Sequence, residues 1–167
     1  MYPGGNIIRV TPTILTAAYS AGEALFDATE IPNAVSYRGG VSRLIGVSML
    51  SLHDDAVEDV GLVFMENEQN LGTVGAAVDL TDANAVAANI ISGCVLNGSD
   101  NTQDLGVCRL YSTIAYTGNS AISTFSPMLL QAAPGSTSVY VTAACLGGTA
   151  TYAADSLQLV LHIEFLG

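Results

Sequence analysis

The stretch SLQLVLHIEFLG places Leu157, Leu159, Leu161, Ile163 and Phe165 at every second position, with Gln158, Val160, His162 and Glu164 between them. Successive side chains of a strand point to opposite faces, so this series predicts a half-exposed antiparallel strand with one face on a core. A helix would scatter the same residues around its circumference. A sheet face this apolar needs a second layer to cover it.

The segment from Val41 to Asp54 carries the same period less cleanly. Leu44, Leu50 and Leu52 fall on one side with Gly46 and Ser48, and Val41, Ile45, Val47 and Met49 on the other, which predicts a central strand covered on both faces in its middle and emerging into an acidic turn at Asp54 and Asp55. GEALFD, VGLVFMENE, DLGVCRLYST and TSVYVTAACL add further short strands. They are separated by YRGG, NGSDN, TGNS, APGS and LGGT, which are turn sequences. One stretch departs from this pattern: LTDANAVAANIIS offers Thr81 as N-cap, Asp82 in the first turn, and Val86, Ile90 and Ile91 at helical spacing. The expected fold is therefore all-β, an antiparallel β-sandwich of jelly-roll type with one short inserted helix near residues 82–90. No repeat or linker divides residues 1–167, which read as a single β-sandwich domain. Pro3, Gly4, Gly5 and Pro12 set residues 1–13 apart as an extended N-terminal arm, the plainer reading being an edge strand.

Charge narrows the partners. Fifteen acids face four bases, all arginines (Arg9, Arg38, Arg43 and Arg109), for a net charge of −11. Counterion-releasing contact with nucleic acid needs clustered Lys and Arg, and an anionic lipid surface repels this chain, so neither is an expected partner. The residues from Leu110 to Ala154 carry no formal charge, yet Ser, Thr, Gly, Asn and Pro interrupt them too often for a membrane-spanning helix. The N-terminal residues lack the basic and apolar regions of a secretory signal. Cys94, Cys108 and Cys145 show no CxxC spacing and sit in apolar contexts, as buried reduced thiols do.

Catalytic motifs are missing. There is no G-x-S-x-G elbow, P-loop or G-x-G-x-x-G turn, and the two histidines, His53 and His162, lie far apart. His53 with Asp54, Asp55, Glu58 and Asp59 is one place to look for a hard cation, and Asp100, Thr102 and Asp104 are another; neither has the alternating acid loop of a calcium site, and a solvated turn accounts for both. Tyr111, Tyr116, Tyr140 and Tyr152 offer a sugar-stacking surface or, equally, core and interface anchors. The expectation is no enzyme, no cofactor, no metal and no small-molecule substrate. The charge-poor second half suits burial against copies of the chain or a larger assembly, because interface cores are depleted in charge.

The run from Ile7 to Asp55 resembles a family of small virion-associated proteins of tailed bacteriophages through RVTP (Arg9 to Pro12), Y-x-x-G-x-x-LF (Tyr19 to Phe26) and TEIPNA (Thr29 to Ala34). LGT, LTDANA, DLG, SVYVTAA and TYAADSLQLVLHIEFL follow in order, so the likeness spans nearly the whole chain. The family carries a lysine-bearing acid turn where this chain has LHDDAVED. The resemblance implies a capsid cement or decoration protein, made in the host bacterial cytoplasm and held on the outer surface of the virion, where it clamps neighbouring major capsid subunits. It also implies a homo-oligomer, a trimer ahead of a dimer, with Ile7, Arg9, Pro12, Tyr116 and Tyr140 at capsid or subunit contacts. The alternative is a surface-displayed glycan- or host-binding β-sandwich module. A metal-dependent hydrolase relying on His53 and the neighbouring acids is a more distant rival.

Overall fold

A computed structural model describes residues 4–53, 58–99, 102–113, 126–153 and 156–166. These residues form strands β1 (Gly5–Val10), β2 (Ala24–Ile31), β3 (Val41–Ser51) and β4 (Asp59–Met65), then helix α1 (Asp82–Ala88). Strands β5 (Ile90–Leu96), β6 (Thr102–Asp104), β7 (Arg109–Ser112), β8 (Met128–Gln131), β9 (Val139–Gly147) and β10 (Leu157–Phe165) follow. One sheet runs β1-β10-β3-β7-β6 with β8 also on β3, and the other runs β2-β9-β4-β5. Every pairing is antiparallel.

β7 and β8 share one edge of β3, pairing with Ser48 to Ser51 and with Val41 to Leu44 respectively. Between them Thr113 continues the ladder: its Oγ1 accepts from the Val47 N–H at 2.8 Å, and its own N–H donates to the Val47 carbonyl at 2.8 Å. With β7 and β8 counted as one interrupted strand, the sheets read 1-10-3-(7/8) and 2-9-4-5. That is the strand order of an eight-stranded jelly roll, in keeping with the fold class read from the sequence.

The core lies between the sheets. Leu157, Leu159, Leu161 and Ile163 of β10 are all buried, and they meet Leu62, Phe64, Val141 and Ala143 among the buried residues of the facing sheet. On β3 the simple alternation breaks. Ile163 pairs with Leu44 and His162 with Gly46, so Ile45 is an unpaired bulge residue and is 46% exposed. A bulge adds one residue and flips the faces beyond it. Leu44 therefore joins Val47 and Met49 in the core instead of facing away from them. Ser48 is buried on the opposite face, where its hydroxyl meets that of Ser112 at 3.1 Å, so the middle of the strand is indeed covered on both sides.

The structure refines two local expectations. Thr81 does cap α1, its side chain accepting from the Asn84 N–H, but the helix ends at Ala88, where Asn89 turns left-handed (φ 48°). Asparagine tolerates that conformation, and Ile90 and Ile91, placed on the helix by their spacing, instead begin β5. At the N-terminal end, Gly5 to Val10 pairs with β10 as edge strand β1, the plainer of the two readings, with Ile8 and Val10 in the core.

The alternation on β10 predicts a sharp contrast between adjacent positions. Leu159→Ala should lower unfolding free energy by about 2–5 kcal/mol, since it opens a cavity between the sheets. Val160→Ala, one residue along on the half-exposed face, should cost less than about 1 kcal/mol in the same urea titration.

Candidate functional site

The residues singled out for contact fall in different places. Ile7 (49% exposed) and Arg9 lie on the outward face of β1. Pro12 is buried within the chain and presents no surface to a neighbour. Tyr140 is half-buried on β9, paired with Glu30 of β2 and Met65 of β4. Tyr116 lies outside the described residues; of the others, Ile7 and Arg9 stand on one sheet and Tyr140 on the other.

The two candidate cation sites fall partly outside the described residues. Asp54, Asp55 and Asp100 lie outside the described residues. Asp59 Oδ1 accepts the Gly98 N–H at 2.7 Å, and Asp104 Oδ1 accepts the Gly106 N–H at 2.7 Å, so both carboxylates fasten turns. Among the described residues no group of His, Cys, Asp and Glu has the arrangement to hold a metal. The sugar-stacking surface also fails to form from its described members, because Tyr111 and Tyr152 are in the core.

One cluster was not announced by any motif. Glu58 immediately precedes β4 and is 1% exposed, and neither of its carboxylate oxygens has a hydrogen-bond partner among the described residues. Around it stand Cys145, placed by the Val60–Cys145 pairing, and Tyr152, which packs edge-on against Tyr19 with ring centroids 5.9 Å apart. The Cys145 thiol and the Tyr152 hydroxyl face the carboxyl closely enough to favour its charge, yet neither closes a hydrogen bond on it. The Tyr111 hydroxyl meets the Glu58 backbone, and Tyr19 Oη accepts from the Leu15 N–H at 2.9 Å.

Burial dominates the electrostatics here. It raises the Glu58 carboxyl above the usual carboxylate range, helped by the like charges of Glu23 and Asp59. The same desolvation pushes up Cys145, Tyr152, Tyr111 and Tyr19. Cys94, on β5, is raised to about 12 by burial. The acidic and thiol groups of the cluster are thus buried, and burial favours their neutral forms. The three cysteines are free thiols, Cys145 fully buried and Cys94 and Cys108 partly so. An acid amid the turn residues of LHDDAVED gives no sequence signal of burial, and only the pairing of β4 with β9 reveals it.

The outer face of the four-stranded sheet is a second feature. Gly61 and Val63 of β4 pair with Val95 and Gly93 of β5 and with Ala144 and Thr142 of β9. The Leu146 side chain lies over Gly61, where a Cβ would approach it to 3.0 Å, and a Cβ on Gly93 would come within 2.8 Å of the Leu62 carbonyl oxygen. The glycines keep this face flat. Val95 and Leu146 are 47% and 50% exposed on it, and none of these residues is charged.

No family model matches the chain, and no curated protein matches it. A solved structure of infectious bursal disease virus, Gx strain, aligns with 97% of this chain at 13% identity and a TM-score of 0.21. The chain spans 41% of the length of that viral chain. An overlap at this level carries no argument about fold or role.

The buried carboxyl has a pH signature. Its pKa is raised in the folded state, so the unfolded chain gives up this proton first as pH rises. The contribution of Glu58 is therefore fully present below the ordinary carboxylate range and is lost as pH rises through the folded-state value. Glu58→Gln should remove that fall: the variant should gain on the order of 1 kcal/mol over wild type at neutral pH and nothing at low pH. Urea unfolding of both proteins across that range measures the difference.

Proposed function

We propose that this protein is a structural virion component, without catalytic turnover, that binds the outer surface of a tailed-phage capsid, clamps neighbouring major capsid subunits and stabilises the head. It is made in the host bacterial cytoplasm and carried on the virion, and it works as a homo-oligomer. The observation that carries this reading is an apolar patch on the outer face of the four-stranded sheet, where Val95 and Leu146 stand exposed over a floor of Gly61, Gly93 and Ala144, while Glu30 and Asp59 are the acids of the same face. An exposed apolar patch of this kind suits contact with another protein surface. The ordered resemblance to small virion proteins names the class of partner. The jelly roll itself favours no single role, since such sandwiches recur in viral capsid and in lectin domains.

The glycan-binding alternative needs a platform of exposed rings, and burial of Tyr111 and Tyr152 takes two of its four candidates away. Capsid binding needs only complementary shape and many repeated sites. A ligand that binds one lattice state alone stabilises it by its binding free energy, and the effect adds over the copies bound.

Purified virions of the phage that encodes the chain should contain it in many copies per head, and heads lacking it should rupture at lower temperature. Added back, wild-type protein should restore heat resistance. The double variant Val95→Asp with Leu146→Asp should bind heads about tenfold more weakly while unfolding at an unchanged urea midpoint. Absence of the protein from virions, or full binding by the double variant, would count against the proposal.

A further inference from the structure

β1 is the outermost strand of its sheet, and no described strand lies beyond it. The hydrogen-bond phase of this edge can be worked out. Gly5 pairs with Glu164, and the Phe165 N–H donates to the Gly4 carbonyl at 3.1 Å, which marks Gly5–Glu164 as a non-hydrogen-bonded pair. Pairs alternate along an antiparallel ladder. Asn6, Ile8 and Val10 therefore turn their backbone groups toward β10, while Gly5, Ile7 and Arg9 turn theirs outward, away from the sheet. The side chains of Ile7 and Arg9 stand on the solvent face, opposite His162 and Val160.

Natural sheets guard such edges with lysine, proline or a bulge. β1 has none of these; its one charged side chain is Arg9, and its pairing with β10 is regular throughout. Its outward groups are also self-complementary. In an antiparallel pairing of two copies about a two-fold axis through Ile7, Ile7 faces Ile7 of the second copy and Gly5 faces Arg9, so every outward-turned residue meets another. Any register shifted by one residue would set outward groups against inward ones.

The charges agree with this register. Arg9 would lie over Gly5 of the second copy, where there is no side chain to obstruct it. Beyond that glycine, on the same face, is Glu164. Glu164 already accepts from Arg43 at 3.0 Å through one oxygen, and its side chain remains 32% exposed. In a chain of net charge −11, one of only four cations is thus set where it meets an acid of the second copy.

We infer that β1 is a self-association edge: two copies join β1 to β1 in antiparallel fashion about Ile7, fusing their sheets into one continuous sheet. A contact through one six-residue strand is at the small end of specific interfaces, so the dimer forms in a concentration-dependent way. An isologous contact closes after two copies, which separates this inference from the trimer expected from the charge-poor second half. It does not rest on the capsid reading, and a dimer through β1 would stand even if the protein bound no head.

The test is light scattering coupled to size exclusion over a range of concentrations, with three variants. Wild type should approach twice 17.1 kDa as concentration rises. Ile7→Pro removes an outward N–H without touching the β10 ladder, so it should remain monomeric while keeping its urea midpoint. Arg9→Glu, which sets an acid beside Glu164 of the second copy, should weaken the dimer about tenfold or more. Ile7→Cys should give a disulfide-linked dimer under mild oxidation that wild type does not give, because facing residues of a hydrogen-bonded pair have Cα atoms about 5.5 Å apart. If Ile7→Pro fails to fold, the other two variants decide. A wild-type monomer at every concentration, a trimer, or a dimer untouched by Ile7→Pro and Arg9→Glu would overturn the inference.

Discussion

The apolar stripe of β10 is the constraint on which the sandwich depends. Leu157, Leu159, Leu161 and Ile163 are buried on one face, and the strand that carries them is hydrogen-bonded to β1 on one side and β3 on the other. Register in a sheet is all or none, because a slip of one residue moves every side chain to the opposite face. A slip of β10 would expose four aliphatic side chains and bury Gln158, His162 and Glu164 in their place. The pairing of Leu161 with Val47 and Ile8, and of Leu159 with Met49 and Val10, therefore fixes where three strands stand. The facing sheet then has one surface to fill, and it does so with Val60, Leu62, Phe64, Val141 and Ala143.

What could be read from the residues follows from how local the responsible physics is. Period two on β10 and the Thr81 cap are local, and each corresponds to an observed element, while the turn sequence TGNS lies outside the described residues. The bulge at Ile45 is not local: it arises because β3 must serve β10 along its whole length, and an extra residue there turns Leu44 inward. The end of α1 lies between these cases. Asn89 is a residue that accepts a left-handed turn, but Ile90 and Ile91 continue the helical spacing, and the demand of β4 for an edge partner decides in favour of strand. β6 and β8 are only three and four residues long, too short for alternation to register.

The same distinction applies to function. Glu58 sits in a run of acids whose composition reads as a solvated turn, and what buries it is the approach of Cys145 and Tyr152 from segments far away in sequence. A buried carboxyl without hydrogen bonds costs stability in its charged form, which is why burial raises the Glu58 pKa. The outer face of the four-stranded sheet and the β1 edge were likewise hidden, since Gly61, Gly93 and Gly5 matter there through what they leave out. Ile7 and Arg9 could be named from the sequence, but their relation to Gly5 and Glu164 required the ladder.

β1 and β10 come from opposite ends of the described chain, yet they are direct neighbours. During synthesis β1 emerges before β10 and has no partner in the sheet until the residues from Leu157 onward have left the ribosome. The sheet cannot close around its central strand before then, because β3 also awaits β10. Proteins dominated by such distant pairings fold slowly, and their unpaired strands are exposed to wrong partners in the interval. The low charge of the strands makes that interval hazardous at high expression. Assembly of this molecule is thus timed by its last strand, and a nascent chain stalled short of Leu157 would be an aggregation risk and not a smaller folded domain.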